Sequence, residues 1–244
     1  MRIVQISDTH ISREHTHRAS ELRATIQFIN QLNPAAEVVV HTGDVTHDGT
    51  AEEYAIARRL LDELRAPYFV IPGNRDRRAE LIEAFADGRH IRSGMEFIQY
   101  PIERQHVRLI LVDTVQNGSN KGHFCQMRLA HLEEMLSADA LKPTLLFLHH
   151  PPFEVSIIPD PFQYEDWAGV EAFGELLARH HQVLGVWSGH VHRNVQTSMG
   201  SVFAGTVSCV AKDLRKGAAD LSKHELVIVD TNSLRPARRL PSRR

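Results

Sequence analysis

The sequence predicts an α/β domain built from two mixed β-sheets packed face to face, with helices on the outside. Three observations carry that expectation. Apolar runs of strand length alternate with helix-period segments through the first two-thirds of the chain. Short strands then follow one another without helices between them, and this change suits mixed sheets in layers. Finally, 42% of the 244 residues are hydrophobic, enough to bury a sizeable core.

The elements follow in order. Residues 2–7 read as a buried strand, and 19–32 as a helix with Leu22, Ile26 and Ile29 on one face. Glu37 to Val40 gives a second strand. Thr50-Ala51-Glu52-Glu53 has the form of a capping box and opens a helix that carries Ile56, Leu60 and Leu64 inward. A strand at 67–71 and a helix near 77–86 come next, then strands near 95–103 and 107–112. A helix bearing Leu129, Leu132 and Leu136 precedes an apolar strand at 144–148. A helix near 169–180 leads to a strand at 183–187, and strands near 193–198, 201–205 and 225–230 read as a meander. Residues 1–234 are expected to form one domain. The basic, proline-broken stretch 235–244 is expected to be a disordered, solvated tail. No internal repeat is visible.

Composition narrows the function. A net charge of −2 argues against a generally nucleic-acid-binding or membrane-bound surface. Cys125 and Cys209 are too few for a disulfide framework, which points to a reducing compartment. No apolar signal core or membrane-length stretch is seen, so a cytoplasmic location is the default. The unusual number is sixteen histidines.

Five of them fall in three of a set of five short clusters, each cluster at or just after the C-terminal end of an expected strand. These are Asp8-Thr9-His10, Gly43-Asp44, Gly73-Asn74-Arg75-Asp76, His149-His150-Pro151-Pro152 and Gly189-His190-Val191-His192. Crevices at the carboxyl ends of strands are where α/β sheets collect ligands. Carboxylates, imidazoles and one carboxamide are donors suited to Zn, Mn or Fe. Any one cluster has a bland reading, as a turn or a hydrogen-bonded core histidine. Five in this order leave chance little room. Glycine lets the backbone approach an ion closely, and Pro151 and Pro152 end the strand so that His149 sits at its mouth.

This ordered set resembles the calcineurin-like metallophosphoesterases, and within them the bacterial class III cyclic-nucleotide phosphodiesterases and glycerophosphodiesterases. The resemblance covers roughly residues 1–210. It implies that fold, two metal ions per chain (Fe, Mn or Zn) and hydrolysis of phosphate esters. Asp8, His10, Asp44 and His192 would hold the first ion; Asp44, as a bridge, Asn74, His149 and His190 would hold the second. Where the family usually has Gly-Asn-His-Asp this chain has Gly-Asn-Arg-Asp. Arg75 therefore stands in place of a histidine that touches the substrate phosphate.

The expected reaction is attack on phosphorus by a hydroxide shared between two ions about 3.5–4 Å apart. Asp44, Asn74, Arg75 and His150 are the candidate catalytic residues, with His150 either lining the pocket or packing. Asp76 either fixes a ligating histidine or serves as a helix N-terminal carboxylate. His15, His17 and His47 follow metal loops and are within reach of substrate or are surface residues. The expected substrate is a small phosphodiester, a cyclic nucleotide or a glycerophosphodiester, with no membrane partner. Nucleic acid is disfavoured by the lack of a basic excess. The alternatives are a phosphomonoesterase or nuclease on the same centre, or a binding module that has lost catalysis. Specificity is expected in loops 153–168 (Phe153, Phe162, Tyr164, Trp167) and 112–124. Oligomeric state stays open, a homo-oligomer among the alternatives.

Overall fold

A computed structural model describes residues 1–155, 163–217 and 221–231, and the backbone of 235–237. Three parallel βα units begin the fold, and the strands sort into two mixed sheets. The first sheet contains β1 (Arg2–Ile6), β2 (Val38–His41), β3 (Tyr68–Val70), β10 (Val227–Asp230) and β11 (Arg235–Ala237), in the order β11-β10-β1-β2-β3. The second contains β4 (Tyr100–Glu103), β5 (Arg108–Val112), β6 (Thr144–Leu148), β7 (Val183–Ser188), β8 (Val195–Met199) and β9 (Val202–Thr206), in the order β4-β5-β6-β7-β9-β8. Helices α1 (His17–Asn30), α2 (Ala51–Leu61), α3 (Arg78–Phe85), α4 (Gln126–Ser137) and α5 (Ala168–Arg179) connect them. Among the described residues, no helix is long and apolar enough to cross a membrane.

Strand periodicity explains how the layers meet. Alternate residues of the second sheet point to opposite faces. Leu109, Leu111, Leu145, Phe147 and Trp187 pack with Ile3, Val38 and Val40 of the first sheet. Their neighbours Ile110, Val112, Leu146, Leu148 and Val186 pack instead with Leu132 and Leu136 of α4 and Phe173 and Leu177 of α5. Both faces of β5 and β6 are thus covered, which is why these strands are unbroken apolar runs.

The structure corrects four local expectations. The strand expected at 95–103 is ordered as β4 only from Tyr100, because Ile98 N donates to Asp113 Oδ2 and Gln99 N to Phe97 O. The buried stripe of α2 is Tyr54, Ala57, Leu60 and Leu61; Ile56 and Leu64 are half-buried. The helix stops at Leu61, and Leu64 lies in the turn beyond it. The last strands do not form a meander. β8 and β9 make a hairpin in the second sheet, while β10 crosses to the first and pairs antiparallel with β1, closing an edge that would otherwise be open. β11 pairs with β10, so sheet structure reaches three residues into the segment read as a tail; 238–244 lie outside the described residues, as does Phe162.

Candidate metal centre

Every cluster singled out by sequence sits at the C-terminal end of its strand, where the two sheets converge. The first sheet supplies Asp8 and His10 after β1, Asp44 after β2 and Asn74 after β3; the second supplies His149 after β6, and His190 and His192 after β7. Hydrogen bonds join these loops, two within a sheet and the third between the sheets. Asp8 N donates to Gly43 O (3.0 Å), Gly189 N to His149 O (3.0 Å), and His190 N to Asp8 Oδ2 (3.0 Å).

Backbone conformation marks the same residues. Asp8, His10, Asp44, His190 and His192 have φ of 54, 42, 51, 69 and 55°, and no other described residue except glycine has a positive φ. Side chains rarely adopt this left-handed region, and such strain persists where surrounding structure enforces a function. Gly43 and Gly73 let two of the loops touch: a Cβ on Gly43 would lie 2.6 Å from Gly73 N and 2.7 Å from His149 Nδ1.

The side chains form two adjoining groups. In the first, His10 Nε2 lies 3.3 Å from His192 Nε2, 3.4 Å from Asp44 Oδ2 and 3.8 Å from Asp8 Oδ1, and His192 Nε2 lies 3.3 Å from Asp8 Oδ1. In the second, His149 Nε2 lies 3.0 Å from Asn74 Oδ1 and 3.6 Å from Asp44 Oδ1. The His190 ring is 5.1 Å from that of His149. The two oxygens of Asp44 therefore face different groups.

These donors fit cations. His149 Nδ1 meets Thr42 O (2.8 Å) and His192 Nδ1 meets Leu214 O (3.0 Å). A carbonyl only accepts, so each Nδ1 carries the proton and each Nε2 turns a lone pair into the cleft. Asp8 Oδ1 is buried without a hydrogen bond, as is His10 Nδ1. Burial raises the Asp44 carboxyl well above its usual range, and the charges of Asp8 and Asp76 push it the same way. Burial also depresses His10 and His190, which favours neutral, ligating imidazoles. A positive ion would relieve this crowding of carboxylates.

His150 also falls within reach of His149 and His190. Its ring nitrogens, however, meet Thr114 Oγ1 (2.8 Å) and Asn120 O (3.3 Å), so both are engaged by protein. Asp76 takes neither role expected of it. It accepts from Gly73 N (2.9 Å), Val45 N (3.0 Å), Thr46 N and Oγ1 (both 3.1 Å) and Tyr54 OH (2.9 Å), tying the loops after β2 and β3 together. Its nearness in sequence to Asn74 was legible; its partners Val45, Thr46 and Tyr54, from elsewhere in the chain, were not. Sequence reasoning also missed His41, buried below the centre, which meets Thr9 Oγ1 (3.0 Å) and receives Gly43 N (3.3 Å). Inside an apolar strand, nothing local sets it apart.

A cavity of about 990 Å³ opens beside the second group, lined by Asn74, Arg75, His47, Glu96 and the 115–120 loop. Arg75 N donates to Asp44 Oδ1 (2.7 Å), while its exposed side chain makes no ion pair among the described residues. Of the two loops expected to set specificity, the 112–124 loop lines this cavity and the described part of 153–168 does not. Tyr164 is packed on Phe124, and its OH donates to His150 O. His17 faces Asp213, at 3.4 Å, on the surface.

Residues 1–194 match the profile of the family described as calcineurin-like phosphoesterase. The chain belongs to that family. It is therefore a metal-dependent phosphoester hydrolase by membership, in agreement with the resemblance read from its motifs. This phosphoesterase is 34% identical over 230 residues to a probable glycerophosphodiester phosphodiesterase of Arcobacter nitrofigilis, covering 89% of this chain and 83% of the relative. It is 31% identical over 206 residues to a probable cyclic nucleotide phosphodiesterase of Rhodopseudomonas palustris, covering 80% and 73%. Among solved structures, a dimetal phosphatase from Danio rerio aligns with a TM-score of 0.71 at 16% identity, covering 93% of this chain and 91% of that one, a likeness of fold.

Proposed function

We propose that this phosphoesterase is a binuclear-metal phosphodiesterase acting on small organic diesters, a glycerophosphodiester or a cyclic nucleotide. The observation that carries the reading is the split of Asp44: Oδ2 faces His10 at 3.4 Å and Oδ1 faces His149 at 3.6 Å, as a bridging carboxylate requires. Asp8, His10 and His192 would hold one ion with it, and Asn74, His149 and His190 the other. Such ions supply Lewis-acid stabilisation of phosphate oxygens and a water acidic enough to be a nucleophile near neutrality.

The remaining work falls to the chain. Asp44 accepts the Arg75 backbone N–H, which sets the guanidinium at the cavity mouth beside Asn74. From there Arg75 pairs with phosphate oxygens through charge-assisted hydrogen bonds, orienting the ester and stabilising charge that develops on it. It cannot supply the leaving group's proton, since a guanidinium stays charged at working pH. His150 contributes from below, holding Thr114 and Asn120 and with them the cavity wall. The lining is of mixed charge, Asp48, Glu80, Glu83 and Glu96 beside Arg75, Arg77 and Arg78, which favours a small organic ester over a nucleic-acid strand.

The test is a hydrolysis panel on protein of defined metal content. It compares cyclic nucleotides, glycerophosphodiesters, and an aryl diester with its monoester. Diesters should be preferred, at a metal content approaching two per chain. Preference for the monoester, or full activity at one ion, overturns the reading.

A further inference from the structure

His47 and its surroundings have no part in the chemistry described so far, yet they are built with care. Arg18, in the first turn of α1, is 2% exposed. Its Nε and Nη2 grip Asp213, the closest contact being Nη2 to Oδ2 at 2.7 Å, and its Nη1 reaches both His10 O and His47 Nδ1 at 3.3 Å. A guanidinium only donates. His47 Nδ1 must therefore be the acceptor, and a neutral His47 carries its proton on Nε2, on the far side of the ring. That nitrogen meets no acceptor among the described residues, and His47 lines the cavity together with Asn74 and Arg75. The ring sits edge-on to those of His10 and His15, with centroids 5.7 Å apart in each case, while the backbone N donates to Ile11 O (2.9 Å).

We propose that His47, fixed as its Nε2–H tautomer by the Arg18–Asp213 pair, donates a hydrogen bond to a phosphate oxygen of the bound ester, next to Arg75. Arg18 and Asp213 are positioning residues and His47 touches the substrate. The inference rests on the phosphodiesterase reading, and it names a second side chain that recognises phosphate beside Arg75. An unprotonated Nε2 would serve as one more metal ligand; the Arg18 contact opposes that form.

Three measurements on the full chain test it. Long-range 1H–15N spectra of metal-free protein should show His47 protonated at Nε2 and bare at Nδ1; the opposite tautomer overturns the proposal. Calorimetry with inorganic phosphate on metal-loaded protein should show affinity about 10- to 100-fold weaker in His47→Ala, the loss of one hydrogen bond to a charged oxygen. His47→Gln, whose amide N–H can reach the same oxygen, should recover most of it, with metal content equal in all three proteins. Wild-type phosphate affinity in His47→Ala, no recovery with glutamine, or a loss of metal in His47→Ala each overturns it. Diester kcat/KM should follow the same order. If the loaded wild type cleaves no diester while phosphate binding still depends on His47, the phosphodiesterase reading fails and this one stands.

Discussion

Asp44 is the residue on which the proposed centre turns, because its two oxygens face different groups of ligands while every other donor belongs to one. Asp44→Asn removes a negative charge from between two cations, whereas Asn74→Ala removes one neutral ligand. Under saturating metal, Asp44→Asn should therefore lose more activity and more bound metal than Asn74→Ala, as read by steady-state rates and elemental analysis. Equal losses, or a wild-type Asp44→Asn, would remove the bridge from the mechanism. Arg75 poses a separate question. If its guanidinium orients the ester, Arg75→Ala lowers kcat/KM on diesters by about 1–3 kcal/mol, the span of a charged hydrogen bond. The deficit should be largest on poor leaving groups, and Arg75→His should restore some of it there. Wild-type kinetics on every diester would make Arg75 a surface residue.

Elements decide whether such side chains arrive together. The capping box over Thr50 and Glu53 was legible in four letters, and it forms: Thr50 Oγ1 receives Glu53 N, and Glu53 Oε2 receives Thr50 N (3.2 Å) and Asp48 N (3.1 Å). The strand ends were legible for the same kind of reason, since apolar runs stop at glycine or proline beside polar donors. Pairings between distant elements were not. Arg78 at the start of α3 grips Asp113 after β5 through Nε (2.7 Å) and Nη2 (2.8 Å), with Asp113 fully buried. No local pattern links an arginine to an aspartate 35 residues later. This bidentate pair anchors the 115–120 loop to α3, for Arg78 also holds Asn117 Oδ1 (2.6 Å) and Val115 O. Arg78→Ala leaves the Asp113 carboxylate buried without its partner and should cost about 3–5 kcal/mol of stability. Urea unfolding measures this, and a change within error of zero would mean that water or a neighbouring base replaces the guanidinium.

At the scale of the molecule, the candidate ligands come from both sheets: Asp8, His10, Asp44 and Asn74 from the first, His149, His190 and His192 from the second. Sequence placed each at its strand end, but could not place β10, which leaves the late strands to close the first sheet beside β1. That excursion follows from edge pairing, which no residue pattern near 227 announces. Its effect is to complete the sheet that carries Asp8. Ions bound between the sheets would therefore act as staples on the whole fold, since the unfolded chain cannot assemble the same donors. A ligand present at about 100 times its dissociation constant adds about 2.7 kcal/mol to folding stability. In a chain of this length each kcal/mol is worth roughly 2–4 °C in Tm, so each ion should raise Tm by about 5–10 °C. Chelation should lower Tm accordingly, and re-addition of metal should restore it. Asp44→Asn should show the smallest metal-dependent rise, because it weakens both sites at once. Hydrogen exchange localises the effect: amides at the C-terminal ends of β1 and β6 should both gain protection on loading, one from each sheet. Protection confined to one sheet, or a Tm indifferent to chelation, would show that the ions do not join the two halves.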